Sequence, residues 1–259
     1  MVLPQDSVKA MFGRIAGRYD LMNHLMSFGR DQAWRREVVR RAAPPQGGRL
    51  LDIGSGTGGI VEAACERHPG LTTVAADFTL AMMATGRLRL TRHPILWCGA
   101  DALSLPFAEK TFDAVTSGYL IRNVIDIRKA FQEQVRVLRP GGRLVCLDTS
   151  PPPAGPLRPF ITLYLQHAIP LAGRMIGGDR DAYRYLPEST QRFLPPESLL
   201  AFMRGAGLEA VGFRRHMFGT VAILYGTKPG MAAPRIPRSP TVASSSGAGR
   251  PSPLYPQNA

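Results

Sequence analysis

The sequence predicts an α/β fold: a doubly wound, mostly parallel seven-stranded sheet with helices on both faces and a reversed edge strand. Three observations predict it. Short apolar runs alternate with helical stretches between residues 49 and 147, the pattern of repeated strand–helix–strand units and a parallel sheet. The first run ends in a glycine-rich loop that opens into a helix. The last two runs, 208–213 and 221–227, are joined only by residues 214–220, too short for a crossover, so they pair antiparallel.

Residues 49–53 (Arg-Leu-Leu-Asp-Ile) form the first strand, and a helix follows over 59–68, stopped by Pro69-Gly70. Residues 71–76 are the second strand, ending at Asp77, and 80–90 are helical. A short third strand, 95–98, precedes Gly99-Ala100-Asp101, and 112–117 is the fourth. Over 127–138, Ile127, Ala130, Phe131, Val135 and Leu138 recur at helical spacing, which marks one buried face. Pro140-Gly141-Gly142 then reads as a helix stop before a fifth strand at 143–147. A last helix over 197–204 ends at Gly205-Ala206-Gly207 ahead of the final strand pair.

The chain has 259 residues, 44% hydrophobic and 20% charged, a soluble globular composition rather than a disordered or fibrous one. One domain is expected over 1–229. Of residues 230–259, fourteen are Pro, Gly or Ser, too little apolar surface to offset the ordering entropy, so this tail is expected to be disordered. Cys65, Cys98 and Cys146 are far apart and form no CxxC pair; that argues against a disulfide framework or thiolate zinc site, predicts no metal, and fits a reducing cytoplasm. Residues 1–30 carry six charges and no apolar core, so no secretory leader is read there. The longest uncharged apolar stretch, 159–173, contains Gln166, His167 and Pro170 and falls short of the roughly 20 residues a membrane span needs.

The net charge of +13 suits an anionic membrane face or an anionic substrate. The densest cluster is Arg35, Arg36, Arg40 and Arg41, with Arg30 upstream. On a helix, Arg36, Arg40 and Arg41 fall near one face, which reads either as a solvated face or as a patch for lipid headgroups. No zinc-finger, helix-turn-helix or single-strand-binding signature accompanies the charge, so nucleic acid is not expected as a partner.

The loop Asp52-Ile-Gly54-Ser-Gly56-Thr57-Gly58-Gly59 joins the first strand to its helix. Glycines there let the backbone turn sharply and approach a ligand. Asp77, 23 residues on from Gly54, ends the next strand, where a carboxylate accepts from both ribose hydroxyls of a nucleoside. Two ligands fit. Gly54, Gly56 and Gly59 spell the GxGxxG of dinucleotide sites, and a nicotinamide oxidoreductase would use that loop. The spacing Asp52-x-Gly54-x-Gly56-x-Gly58 also spells the DxGxGxG of S-adenosylmethionine methyltransferases. Asp52 beside the loop would oppose a pyrophosphate and favour a cationic sulfonium donor. Asp101 with Ala102, at the end of the third strand, is placed to accept from an adenine amine.

Arg18-Tyr19-Asp20-Leu21-Met22-Asn23, Ser27-Phe28-Gly29 and Trp34 resemble the N-terminal signature of the quinone-biosynthesis C-methyltransferases. Arg122-Asn123-Val124, Arg136-Val137-Leu138-Arg139-Pro140-Gly141-Gly142, Tyr183-Arg184-Tyr185-Leu186 with Glu188-Ser189, and the Ala206-Gly207 turn are similar too; the likeness runs over residues 8 to 228. It implies a Rossmann-like class I methyltransferase with 1–45 as an N-terminal helical cap, Tyr19, Met22 and Asn23 closing over the donor. It implies S-adenosylmethionine as co-substrate on Asp52, Gly54, Gly56, Thr57, Asp77, Asp101, Ala102 and Ser117. The implied acceptor is a demethylated isoprenoid quinol, demethylmenaquinol first and the ubiquinone precursor or another lipid or small molecule second. A cytoplasmic protein touching the inner membrane face would follow.

Three departures stand beside the resemblance. Where the family carries a serine after the fourth strand, this chain aligns Gly118, with Ser117 one step earlier; Gly118-Tyr119-Leu120-Ile121 replaces a phenylalanine–glycine–leucine run; and Leu147-Asp148-Thr149-Ser150 stands where the family usually reads with glutamate and phenylalanine. Quinol C-methylation calls for a base or cation beside a ring oxygen. Arg122, Asn123 and Tyr185 lead the candidates, followed by Tyr183, Asp148, His24 and His167. The apolar stretch 160–171 is expected to line a greasy acceptor pocket or touch lipid, with a plain core helix as the alternative.

Overall fold

A computed structural model describes residues 5–168, 185 and 188–230. The tail 231–259, residues 169–173 of the apolar stretch, and the candidates Tyr183, Arg184 and Leu186 lie outside the described residues, as does the His167 side chain. Helices α1 (Gln5–Ile15), α2 (Tyr19–Met26) and α3 (Asp31–Ala42) precede the sheet. The sheet strands are β1 (Arg49–Ile53), β2 (Thr72–Asp77), β3 (Ile95–Gly99), β4 (Phe112–Gly118), β5 (Leu138–Thr149), β6 (Glu209–His216) and β7 (Val221–Thr227). Between them run α4 (Gly59–Arg67), α5 (Leu80–Arg89), α6 (Ile127–Val137), α7 (Arg158–Leu163) and α8 (Pro196–Gly205).

The strand order is β3-β2-β1-β4-β5-β7-β6. The five N-terminal strands pair in parallel, and the last two form the antiparallel pair expected at one edge. Within that pair β7 runs against both neighbours and β6 is the outermost strand. The chain winds outward from β1 to β3 and then returns to the other side of β1 as β4. That reversal opens a crevice at the carboxyl ends of β1 and β4, where ligands bind in such sheets.

Alternation along the strands feeds one core on each face. Leu51, Ile53, Val115 and Leu144 pack with Phe131 of α6 and Leu199 and Met203 of α8. Leu50, Ala114, Val145 and Ile223 pack with Trp34, Val38 and Val39 of α3 and Ile60 and Val61 of α4. The expected N-terminal cap therefore divides: α3 belongs to a core layer, while α1 and α2 contribute to the cleft described below. α6 is capped by Asp126, whose side chain accepts from the Lys129 amide at 2.9 Å.

β5 is longer than the sequence suggests. Pro140-Gly141-Gly142 does not part a helix from a strand; β5 begins at Leu138, opposite Phe112, with an irregularity in its pairing before Arg143 meets Ala114. Gly141 turns with φ 79° and its N–H bonds the Lys228 carbonyl at 2.9 Å. The pairing partners, not the local signal, carry the strand through the glycines. Among the described residues no helix is long and apolar enough to cross a membrane.

Candidate active site

The glycine loop leaves β1 with φ values of 67° at Gly54 and 56° at Gly56, a region L side chains rarely adopt. A Cβ at Gly54 would meet Leu120 at 3.0 Å, and one at Gly56 would meet the Met82 methyl at 3.2 Å. Both bare backbones line a cleft with Asp77, Phe78 and Thr79 from the end of β2 and with Gly118, Tyr119, Leu120 and Asn123 from the end of β4. Val8 and Phe12 of α1 and Tyr19 of α2 form its opposite wall.

Asp77 is the carboxylate that faces this cleft. Its Oδ2 accepts from the Gly56 amide at 2.8 Å and its Oδ1 from the Thr79 amide at 2.7 Å. Each oxygen retains a lone pair, so the group is held rigid and still able to accept from a ribose hydroxyl. Burial pushes its pKa up, against the backbone amides that hold it down. Bare glycine backbone and an anchored acid fit an adenosine-bearing donor.

Five of the sequence candidates sit elsewhere. Asp52 lies beneath the loop, not on the cleft: it is buried and its Oδ1 accepts from Thr116 Oγ1 at 2.8 Å, across the β1–β4 register. Burial raises its pKa to about 7. Thr57 turns away too, its hydroxyl donating to Asp20 Oδ1 of α2 at 2.9 Å. Asp101 is exposed, its Oδ1 accepting from the Leu103 amide at 2.9 Å, and Ala102 is part of the core. Of the pair Ser117 and Gly118, Gly118 lines the cleft; Ser117 is buried at 1% exposure.

A second, apolar cavity adjoins the first, with Tyr119 in both walls. Met26 of α2, Trp34 of α3, Tyr164 and Leu165 beyond α7, and Met217 and Val221 around the β6–β7 turn enclose it. The stretch expected to line a greasy pocket thus does so at Tyr164 and Leu165, while Phe160 is 71% exposed. Two residues of its wall hold backbone strain, Tyr119 with φ 57° and Met217 with φ 47°, and Phe218 beside the wall has φ 54°. Trp34 belongs to the N-terminal signature, whereas Met217 carries no signal in the sequence beyond its apolar character.

Arg122 projects into this cavity from a 3-10 turn, Ile121–Asn123, after β4. Its Nη1 donates to Asp148 Oδ1 at 2.7 Å, both side chains being almost fully buried, and its amide meets Asp148 Oδ2 at 3.2 Å. The guanidinium lies 5.1 Å from the Tyr119 ring centroid. Burial raises the Tyr119 phenol pKa, as it does that of Tyr19, which the Arg122 charge and the Asn23 amide act to lower. Tyr185 donates to Asn123 Oδ1 at 2.9 Å, and Asn123 Nδ2 donates to the Tyr119 carbonyl at 2.8 Å. The three lead candidates therefore come together around Tyr119. His24 does not join them; it is half exposed beside Asp31.

The arginine cluster divides. Arg35 pairs with Asp20 and Asp31 at 3.5 and 3.3 Å, and Arg41 bonds Glu37 at 2.9 Å and lies 4.4 Å over the Tyr225 ring. Arg30, Arg36 and Arg40 are exposed. Although no metal was expected, ligand atoms of Glu62, Glu66 and His93 lie within 4.8 Å of one another; Arg89 and Arg92 already pair with those carboxylates.

Comparison with known proteins places these features. In folds, the chain is similar to a Thermotoga maritima S-adenosylmethionine-dependent methyltransferase described as a histamine N-methyltransferase candidate, with TM-score 0.60, 19% identity, and 85% and 99% of the two chains covered. It is also similar to Haemonchus contortus phosphoethanolamine N-methyltransferase 2 solved with S-adenosylmethionine, with TM-score 0.57, 16% identity and 76% and 52% covered. In sequence, it is 46% identical over 221 residues to the ubiquinone/menaquinone biosynthesis C-methyltransferase UbiE of Desulfotalea psychrophila, covering 85% of this chain and 90% of that protein. It is 43% identical over 234 residues to the demethylmenaquinone methyltransferase of Roseiflexus castenholzii, covering 88% and 98%. The pattern of the ubiE/COQ5 methyltransferase family matches residues 1–228, and the chain belongs to that family.

Proposed function

We propose that this methyltransferase transfers a methyl group from S-adenosylmethionine to a ring carbon of a demethylated isoprenoid quinol, demethylmenaquinol to menaquinol. One observation carries the reading: a nucleoside-type cleft and an apolar cavity share a wall at Tyr119, with a buried cation, Arg122, on the apolar side. Gly54, Gly56, Asp77 and the Gly118 backbone hold the donor, which supplies a methyl already activated on a sulfonium. Thr57 and Asp52 act one step back, fixing the lid and the loop. Asp101 and Ala102 remain proposed for the adenine end.

The chain's own work is placement and charge. Holding both partners in line contributes up to about 7–11 kcal/mol of the barrier. A quinol carbon attacks better once the adjacent ring oxygen loses its proton. Arg122 favours that oxyanion in a water-poor site, where a fixed cation counts for more than in solvent. Asn123 and Tyr185 hold the Tyr119 backbone and thereby the shared wall.

Phe28, stacked on Tyr164 with centroids 5.7 Å apart, and Phe160 and Phe218 stand exposed next to cavity residues. With Arg30, Arg36 and Arg40 they support a cytoplasmic enzyme resting on the inner membrane face, its acceptor arriving from the bilayer; no nucleic-acid partner and no metal enter the reading. The test is methyl transfer itself. Purified protein is expected to move labelled methyl from S-adenosylmethionine into a reduced short-chain demethylmenaquinol and not into the oxidised quinone. Label in neither, with the donor bound, would overturn the acceptor assignment. Cells lacking the protein are expected to accumulate the desmethyl quinone.

A further inference from the structure

Three residues that line the apolar cavity each hold a buried polar atom with no hydrogen-bond partner: Asn23 Nδ2, Arg122 Nε and Thr149 Oγ1. They come from α2, the turn after β4, and the last residue of β5, elements far apart in sequence. A buried donor left unpaired is destabilising, so three around one cavity point to a ligand that satisfies them. The Asn23 side chain acts on the Tyr19 phenol, and its Nδ2 meets no partner within hydrogen-bond geometry. Arg122 spends Nη1 on Asp148 and keeps Nε free. Thr149 gives its amide to Asp148 Oδ1 at 2.8 Å and keeps its hydroxyl free.

We propose that these atoms form a two-point site for the oxygens of the acceptor ring. Arg122 holds the oxygen beside the accepting carbon, and Thr149 with Asn23 holds the oxygen across the ring. On this assignment Thr149 is a specificity-determining residue: it favours a 1,4-dihydroxy aromatic over one with a single hydroxyl. The inference rests on the quinol reading and extends it to named contacts.

Thr149→Val keeps the shape of the side chain and removes the hydroxyl. With a short-chain naphthohydroquinol, it is expected to raise KM about three- to tenfold, the worth of one hydrogen bond, with the effect in KM rather than kcat. With the analogue lacking the second hydroxyl, the same variant is expected to match the wild type. Thr149→Ser is expected to restore the preference, and Asn23→Leu to show the same dependence on the second hydroxyl. Donor affinity, read by calorimetry, is expected to equal the wild type in the Thr149 variants. An unchanged diol preference in Thr149→Val overturns the site. Failure of the wild-type protein to methylate either acceptor breaks the quinol reading instead. In that event calorimetry of the diol against the wild type and Thr149→Val still decides the site, equal affinities overturning it.

Discussion

The cleft proposed for the donor and the cavity proposed for the acceptor share Tyr119 and differ in almost everything about how they are made. The floor of the donor cleft comes from a short run of chain, Gly54 to Met82, at the ends of two neighbouring parallel strands. The acceptor cavity draws on α2, α3, a 3-10 turn, the end of β5, the segment beyond α7 and the β6–β7 turn, from Asn23 to Val221. The first has a local floor that α1, α2 and the end of β4 wall in; the second has no local part and exists only once distant segments have packed. The first is where a fold repeats a chemistry, and the second is where a chain chooses its acceptor.

The most damaging way to probe that contrast is to strike the acceptor side at its buried charge. Replacing Arg122 with Met leaves Asp148 buried without its cation, a loss of about 3–5 kcal/mol when one partner of such a pair goes. Denaturant unfolding is expected to show that drop, and methyl transfer to fall with it. Donor affinity in the folded fraction is expected to hold, because Arg122 lines only the apolar cavity. A donor affinity that falls in step with stability would show the two halves to be one unit.

The same contrast decides what the sequence made legible. The seven strands, the glycine loop and Asp77 follow from periodicity and spacing, since each signal lies within a few residues of the structure it reports. Asp52 is read from the loop spacing, Asp101 from a strand end and Thr57 from the family resemblance, and none of these signals says which way the side chain turns. Thr57 meets Asp20, 37 residues away, and Asp52 meets Thr116, 64 residues away; those partners exist only in the folded state. Nothing local distinguishes the free hydroxyl of Thr149 from the bonded hydroxyl of Thr116. The strain at Met217 and Phe218 was equally silent, Gly219 being its nearest trace.

Beneath the donor loop, Asp52 offers a test of intermediate size. Its folded pKa of about 7 stands above the ordinary 3.8. The folded protein therefore keeps a proton that the unfolded chain has released. Stability from this group is full at acid pH and is lost as the pH rises from about 4 through about 7. At 1.36 kcal/mol per pKa unit the whole span is at most about 4 kcal/mol. Asp52→Asn, which keeps an acceptor for Thr116, removes the titration. Its melting temperature is expected to approach the wild type near pH 4 and to exceed it increasingly toward pH 8. A gap that does not widen with pH would place the charge of Asp52 in contact with something that stabilises it.

The smallest effect tests whether the two sites are independent at all. α2 carries Tyr19 on the donor cleft and Asn23 and Met26 on the acceptor cavity. The Thr57–Asp20 hydrogen bond ties that helix to the glycine loop, and Arg35 and Arg89 stand 3.5 and 3.7 Å from the same carboxylate. Thr57→Val removes one bond to a charged, partly exposed acid, worth about 1 kcal/mol after solvent screening. The fold does not depend on it, so the melting temperature is expected to move little. Proteolysis within residues 5–26 is expected to quicken about fivefold, since opening of a marginal segment tracks its local free energy. Donor and acceptor affinities are then expected to weaken together, because one helix closes both. A change confined to the donor would leave α2 as a cover for the cleft and the acceptor cavity as self-standing.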